Sequence, residues 1–374
     1  MGRGLYIQPF EMIKNKFLLI PFLIFILSIL LDRIIMLEPI QIYFTKTVSE
    51  INYFHKDYLF EELRVYLNKP DRKKVLVYFG NSRGLLFNNK YIEKHYPNWI
   101  LFNFSVPGGT PDYFNFWLER FKKQNVKPDF VLIDTAIEAY NLNPRIKIDE
   151  VLVNGLDFKF ILNNYDRYSS KEITNFIAKK LFKTYQYRPK FETILQRLKN
   201  NSAIAVNYKA WRKKITEQLI QEKGSASSDI SANATSSDEL VLRYSNGDYF
   251  SYIDSYNLNE NMLLFQKENF LLLKELKISY SSILVKVASP YYTFIKTRKA
   301  VKKTNHNDVE KTAFEVFSPK INTIIEETNT RFYNMNEDKE YFCNFFTDAS
   351  HMSSECFPDY TDFIFKKIMK VNKI

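Results

Sequence analysis

Uninterrupted apolar runs, each stopped by turn residues, predict a parallel β-sheet. The first run, residues 75–79, ends at Gly80, and two more follow at residues 99–104 and 130–134, with a helical pattern at residues 113–123. Strands that are apolar throughout are typical of parallel sheets buried on both faces. The β-α-β-α-β order therefore predicts an α/β fold with a doubly wound, mainly parallel sheet. Ligands of such sheets bind at the carboxyl ends of the strands.

The most apolar segment, residues 17–37, predicts a single membrane-spanning helix. It supplies the roughly 20 residues that a span requires, and the residues before it carry three basic side chains and one acidic. By the positive-inside rule, the amino terminus then lies in the cytoplasm and the main domain outside. No small-x-small cleavage site follows, which favours an uncleaved signal anchor in the cytoplasmic (inner) membrane, with the lipid bilayer as a partner. The alternative is a buried core helix.

The remaining patterns divide the chain into six predicted segments. These are a cytoplasmic amino terminus (1–16), the signal anchor (17–37), a helical connector (38–70), the first part of the α/β domain (71–142), a basic helical insertion (143–245) and the second part of that domain (246–374). In the second part, helices are expected at residues 259–276, 318–329 and 359–369, and strands at residues 282–288 and 341–346. The insertion is therefore expected to interrupt one large domain.

The charge of the chain indicates what kind of partner it binds. The net charge is +11 and the sequence pI is near 9.2, which favours anionic partners. Lysines and arginines concentrate in the insertion, where they form either a solvated face or a docking surface for an anionic polymer or lipid headgroups. Residues 224–237, rich in serine, are expected to form a flexible loop. No nucleic-acid-reading motif is present in the sequence, so we expect no nucleic acid partner.

Candidate catalytic residues lie near both ends of the predicted domain. Ser82 follows the first strand, and Asp348 and His351 are three residues apart. A nucleophilic serine needs a histidine base, and that histidine needs a carboxylate that fixes its tautomer. The alternative is that Ser82 and Asp348 merely cap helices.

The other three histidines lack a carboxylate at this spacing beside a predicted strand end. They are His55, His95 and His306. No cluster has metal-ligand spacing, and we expect neither a metal nor another cofactor.

These motifs resemble the SGNH/GDSL hydrolases, and most of all their membrane-anchored branch, which includes proteins of teichoic-acid D-alanylation and polysaccharide O-acetylation. The resemblance covers roughly residues 70–370 and consists of Gly-x-Ser at Ser82, a glycine after the second strand and Asp-x-x-His at His351. It implies a flavodoxin-like three-layer fold. It also implies an oxyanion hole formed by the backbone amides of Ser82 and of Gly108 or Gly109.

The third strand departs from the family pattern. The family has Gly-x-Asn-Asp there, whereas Ala136 occupies the asparagine position, leaving Thr135, Glu138 or Asn141 as substitutes. Loss of one oxyanion donor typically costs about 100- to 1,000-fold in rate. The expected cleft residues are Asn81, Arg83, Thr135, Pro290 and Tyr291.

The resemblance implies a serine esterase or O-acyltransferase acting on a cell-envelope glycan or lipid, with a membrane acyltransferase as partner. A non-catalytic binding or scaffold protein is the alternative, favoured by the missing asparagine. A third hypothesis makes the basic insertion a docking surface for a membrane assembly.

The only two cysteines, Cys343 and Cys356, bracket the Asp348–His351 loop. In an oxidising compartment they can pair and stabilise that loop by on the order of 3 kcal/mol. Two buried thiols are the alternative.

Overall fold

The computed structural model describes residues 16–44, 50–142, 150–188, 191–199, 201–226, 251–300 and 310–373. The chain forms two compact units: the smaller from residues 1–47 and 168–210, the larger from residues 48–167 and 211–374. The predicted insertion is thus divided, because its middle part folds with the amino-terminal helix and its ends fold with the sheet. The predicted flexible loop lies outside the described residues from residue 227 onward.

Helices predominate in the described part. In chain order they are α1 (Lys16–Asp32), α2 (Glu38–Phe44), α3 (Glu50–Leu67), α4 (Asn89–His95), α5 (Pro111–Lys123), α6 (Phe158–Asn163), α7 (Ser170–Leu181), α8 (Lys183–Tyr187), α9 (Phe191–Lys199), α10 (Asn201–Gln221), α11 (Ser251–Asp254), α12 (Glu260–Glu275), α13 (Ser289–Thr297), α14 (Ala313–Glu327) and α15 (Phe357–Asp362). The strands are β1 (Lys74–Phe79), β2 (Trp99–Asn103), β3 (Phe130–Asp134), β4 (Ser279–Leu284) and β5 (Phe332–Asn334).

The smaller unit contains the apolar amino-terminal helix that the sequence predicts. The stretch Leu19–Met36 has a mean hydropathy of 2.4, and only 6% of it is buried. Its length and composition suffice to cross a membrane. Two pairs of helices pack together in the same unit: α2 with α9, and α7 with α8.

The sheet of the larger unit is parallel throughout, with strand order β2-β1-β3-β4-β5. Val77, in the middle of β1, pairs with Phe102 on one side and Val131 on the other. This confirms the predicted parallel α/β fold. The order is that of flavodoxin-like sheets, in which the chain reverses its direction of winding between β1 and β3. Their carboxyl ends therefore form the edge where a ligand is expected.

Helix α3 belongs to the core of the larger unit, although the pattern suggested a connector. Leu59, Phe60 and Leu63 are fully buried. The Phe60 ring lies 5.7 Å from that of Trp117 and 5.6 Å from that of Phe121, both on α5. Aromatic packing of this kind fixes α3 and α5 against each other.

The late strands differ from their predicted positions. Strand β4 overlaps the predicted strand at residues 282–288, but it begins several residues earlier and also ends several residues earlier. The predicted end is too late because the apolar run continues into a buried loop. The predicted strand at residues 341–346 is wrong. That segment makes a single antiparallel bridge, Phe346 to Met352, and the fifth strand is β5 instead.

Candidate active site

The nucleophile loop is the sharp turn that follows β1. Asn81 begins a 3₁₀ turn, Ser82–Gly84, and its side-chain oxygen accepts the backbone N–H of Arg83 at 2.9 Å. This cap fixes the turn, and Ser82 is only half-buried in it. The backbone N–H of Ser82 donates no hydrogen bond to the described part of the chain. Ser82 therefore offers a partly exposed side chain and an unused amide at the carboxyl edge of the sheet.

The histidine loop is a tight turn between Phe345 and Ser353. The backbone N–H of Ser353 donates to the carbonyl of Phe345 at 3.0 Å, and that of Thr347 donates to the carbonyl of His351 at 2.9 Å. Cys343 and Cys356, which bracket this turn, are joined in a disulfide with Cα atoms 5.5 Å apart. The cross-link restricts the turn from outside its hydrogen bonds.

Ser82, His351 and Asp348 form one continuous hydrogen-bonded chain. The Ser82 Oγ lies 2.6 Å from Nε2 of His351, and Nδ1 of the same ring lies 2.9 Å from each carboxylate oxygen of Asp348. Because Asp348 can only accept when it is ionised, Nδ1 carries the proton and Nε2 accepts the serine hydroxyl.

Asp348 is held in its ionised form. Burial raises the pKa of this carboxyl. The charge and hydrogen bond of His351 and the backbone amides of Ser350 and His351 lower it by a larger amount, so the pKa lies below its usual value.

The two glycines after β2 lie beside the nucleophile loop. A Cβ added to Gly109 would stand 2.3 Å from the carbonyl oxygen of Gly80, so only glycine allows this approach. The amide of Gly109 is already used, since it donates to the carbonyl of Val106 at 3.0 Å. The amide of Gly108, whose φ is +72°, donates no hydrogen bond within the described residues. Of the two glycines expected from the sequence to supply an oxyanion donor, Gly108 is therefore the one with an available amide.

Tyr53 of α3 supports this glycine loop, and the sequence analysis did not identify that role. Its hydroxyl donates a hydrogen bond to the carbonyl of Pro107, and its ring stacks edge to face on Tyr113 at 5.9 Å. A tyrosine in an amphipathic helix carries no sign of such a role, because its partner lies 54 positions away.

The loop after β3 supplies no obvious oxyanion donor from the three residues expected to substitute for asparagine. Thr135 is buried, with its hydroxyl 2.5 Å from that of Ser282. The amide nitrogen of Asn141 donates to the carbonyls of Tyr252 and Ser255 at 2.7 and 3.0 Å. Glu138 accepts rather than donates. The polar groups of this loop therefore serve the fold.

Arg83 and Tyr291, expected to line the cleft, are buried below it. The Arg83 guanidinium donates to Oε1 of Glu138 at 2.5 Å and to the carbonyl of Ser350 at 3.1 Å, and the Tyr291 hydroxyl donates to the same Oε1 at 2.7 Å. The network joins the loop of the nucleophile to the loop of His351. Of the other expected cleft residues, Thr135 is also buried, whereas Asn81 and Pro290 are half-buried.

Arg83 and Glu138 keep their charges in this buried site. Burial lowers the pKa of Arg83, but the nearby carboxylates of Glu138 and Asp134 raise it above its ordinary value. Burial raises the pKa of Glu138, and Arg83 lowers it below the ordinary value. Each charge therefore depends on the other.

Asp134, at the end of β3, lies beneath the nucleophile loop. A Cβ added to Gly80 would stand 3.3 Å from the Cβ of Asp134. Neither carboxylate oxygen accepts a well-formed hydrogen bond from the described residues, although the backbone amides of Asn81 and Val285 lie near enough to favour its charge. Burial raises the pKa of Asp134 to about 7, and Arg83 limits the shift. This acid therefore holds its proton to a much higher pH than an exposed aspartate does.

The other histidines lie apart from this site. Burial, together with the charge of Lys56, lowers the pKa of His55 to about 4, and His95 is half-buried on α4. His306 lies outside the described residues. Within those residues, no three histidine, cysteine, aspartate or glutamate side chains are grouped to hold a metal ion.

The fold and site define a parallel α/β protein with a Ser-His-Asp constellation and an amino-terminal apolar helix. The family described as Protein of unknown function (DUF1574) matches residues 12–368, so the chain belongs to that family. No curated protein matches the chain.

Proposed function

We propose that the chain is a membrane-anchored, extracytoplasmic serine esterase or O-acyltransferase of SGNH type, acting on a cell-envelope glycan or lipid. The observation that carries the proposal is the Ser82–His351–Asp348 chain, in which serine and histidine lie 269 positions apart and 2.6 Å from each other. Three residues with complementary roles rarely meet at a sheet edge without chemistry to perform.

In the first half-reaction, Ser82 Oγ attacks the carbonyl carbon of an acyl ester while its proton passes to Nε2 of His351. Asp348 stabilises the imidazolium, and the amides of Ser82 and Gly108 stabilise the oxyanion. When the tetrahedral adduct collapses, the ester bond breaks and the leaving alcohol takes the proton from Nε2. The acyl group then remains on Ser82 as an ester.

In the second half-reaction, an acceptor hydroxyl gives its proton to Nε2 and attacks the acyl carbon. Ser82 leaves and recovers the proton. Water as the acceptor gives an esterase, and a sugar or polyol hydroxyl gives a transferase. The two activities use the same residues and differ in how well the cleft excludes water.

Two features support the location outside the cytoplasm. Helix α1 is long and apolar enough to span a bilayer, and basic residues precede it. The Cys343–Cys356 disulfide is typical of an oxidising compartment. A membrane tether and a net charge of +11 favour acceptors in an anionic envelope. The resemblance to the membrane-anchored branch adds a membrane acyltransferase as partner.

The test is turnover of an activated ester by the full-length protein in nanodiscs. The full chain is needed because residues 1–47 form a unit with residues 168–210. We expect wild type to release p-nitrophenol from p-nitrophenyl acetate more than about 10³-fold faster than Ser82→Ala. Added glycerol separates the activities: acetylglycerol marks a transferase, and acetate alone marks an esterase. Equal rates in wild type and Ser82→Ala would contradict the proposal.

A non-catalytic binding protein is the second candidate, favoured by the loop after β3, where the expected oxyanion donors are engaged elsewhere. It predicts that the folded wild type neither turns over esters nor reacts covalently at Ser82. Ester turnover by the folded wild type, or its covalent reaction at Ser82, would exclude this candidate.

A further inference from the structure

The end of α1 holds the corner between α7 and α8, all within the smaller unit. The Asp32 carboxylate accepts the backbone N–H groups of Lys183 and Thr184, the latter at 2.9 Å, and also the Thr184 hydroxyl. The Arg33 guanidinium donates to the carbonyls of Lys180 and Leu181 at 3.0 and 3.3 Å. An acid thus meets the start of α8 and a base the end of α7, as the helix dipoles favour. This explains two adjacent charges within an otherwise apolar segment.

The corner lies against the side of α1. Phe182, between α7 and α8, packs edge to face on Phe25 with ring centroids 6.1 Å apart. Phe25 precedes Asp32 by seven positions, which is about 10 Å along a helix axis. If α1 spans a bilayer, Phe182 therefore reaches below the level of Asp32, into the boundary between headgroups and acyl chains.

Helix α9 presents an exposed apolar stripe. Phe191, Leu195 and Leu198 are 72%, 40% and 49% exposed, and their spacing places them on one face of the helix. The helix packs against α2, which follows α1 almost directly. Ile177 of α7 and Tyr185 of α8 are also exposed. Apolar side chains on a helix tied to a span are typical of an interfacial helix.

The same segment is strongly basic. Residues 170–199 contain eight lysines and arginines and two glutamates, a net charge of +6. Lys171, Arg188 and Lys199 are exposed. Each basic group near an anionic membrane surface contributes about 1 kcal/mol of attraction. An apolar stripe and exposed basic side chains in the same segment together fit acidic phospholipids better than an uncharged surface.

We propose that α7, α8 and α9 lie on the surface of the bilayer that α1 spans, with Phe191, Leu195 and Leu198 in the acyl boundary and the exposed basic side chains on acidic phospholipid headgroups. Asp32 and Arg33 clamp this surface layer to the span. The inference rests on the proposed membrane anchor, and it adds a lipid-binding surface to it.

Spin labels on single cysteines test the inference in the full-length protein. The two native cysteines are disulfide-bonded, so an introduced cysteine is the one that reacts. Labels at Leu195→Cys and Leu198→Cys report the stripe, and Leu264→Cys on α12 is the matched control, since Leu264 and Leu198 are both 49% exposed. Leu23→Cys, on α1, reports the anchor itself.

Collisions with oxygen and with the nickel complex NiEDDA are compared in nanodiscs of phosphatidylcholine with and without phosphatidylglycerol. We expect the oxygen-to-nickel ratio at both stripe positions to exceed that at Leu264 severalfold, and to rise when phosphatidylglycerol is present. Stripe labels that match the control while Leu23 lies in lipid would overturn the inference and leave the anchor standing. A Leu23 label in water would overturn both. An oxygen-to-nickel ratio that stays the same when phosphatidylglycerol is added would refute the proposed contact with acidic headgroups.

Discussion

The loop after β1 and the loop after β3 meet at the same edge of the sheet and use their polar groups differently. The first leaves the amide of Ser82 without a partner in the described chain and half-exposes its hydroxyl. In the second, Thr135, Glu138 and Asn141 bond to neighbouring strands and loops. Proximity to the candidate site therefore does not by itself leave the polar groups of a loop available for chemistry. The second loop positions the first, through Arg83 and Glu138.

Asn81, in the loop after β1, has two polar side-chain atoms that differ in their hydrogen bonding. Its side-chain oxygen caps the nucleophile turn, while its Nδ2 donates no hydrogen bond within the described residues. That amide lies one residue before Ser82, and we expect it to replace the asparagine that the family pattern has after the third strand.

The largest effect is expected from Asp348→Asn. The amide cannot hold the Nδ1–H tautomer of His351, so the acylation rate of Ser82 should fall by about 10⁴-fold while the fold persists. Stopped-flow acylation and circular dichroism check the two parts. Asp359→Asn, an exposed carboxylate in the same region, should leave the rate unchanged.

Arg83→Met tests the support that the second loop gives the first. Removing the guanidinium leaves Glu138 charged and buried, which should lower the free energy of unfolding by about 3–5 kcal/mol. The double variant Arg83→Met with Glu138→Met should recover much of that stability but not the acylation rate, because the tie to the carbonyl of Ser350 is lost as well.

The exposed pair Arg64–Glu61 supplies the control for this experiment. Arg64→Met should change stability by less than about 1 kcal/mol in urea titrations. Full recovery of the rate in the Arg83/Glu138 double variant would show that the network does not position the histidine loop.

Asp134→Asn should alter how stability depends on pH. The folded pKa of Asp134 is about 7, above an unfolded value near 3.9. The folded state therefore binds the proton more tightly, and the stability that this contributes is complete below about pH 4 and lost as pH rises through 7. The variant should match wild type near pH 4 and exceed its free energy of unfolding by about 3–4 kcal/mol at pH 8. Parallel curves from urea titrations would refute the raised pKa.

Asn81→Asp separates the two parts that Asn81 plays. Aspartate keeps the capping oxygen and removes the Nδ2 donor, so the acylation rate should fall by about 100-fold with little loss of stability. Asn88, which caps α4 through the same kind of bond to Tyr91, is the matched control. If Asn88→Asp and Asn81→Asp behave alike, Asn81 supplies no oxyanion donor.

The sequence predicted those parts of the fold that local burial specifies. Strands β1, β2 and β3 are continuous apolar runs, and their positions were predicted within one residue at each end. Strand β5 has three half-buried residues and leaves no such pattern. Residues 341–346 are mostly apolar without forming a strand, and Phe342 and Phe345 are exposed, so an apolar run alone does not specify a buried strand.

The candidate site divides in the same way. Ser82, Asp348 and His351 stand beside recognisable turns, so short motifs identified them. The positions of Arg83 and Tyr291 follow from a buried contact with Glu138, over 55 and 153 positions. A charged residue such as Arg83, next to a candidate nucleophile, suggests a residue that lines the cleft. Only the fold shows that its partner, Glu138, is buried.

The most direct measurement is reaction of the full-length protein with a fluorophosphonate probe, followed by mass spectrometry of its peptides. Wild type, Ser82→Ala and His351→Ala are compared, each checked for folding by circular dichroism. We expect one adduct, on Ser82, in wild type and none in either folded variant. A folded wild type that stays unlabelled at high probe concentration, or an adduct on another residue, would contradict it.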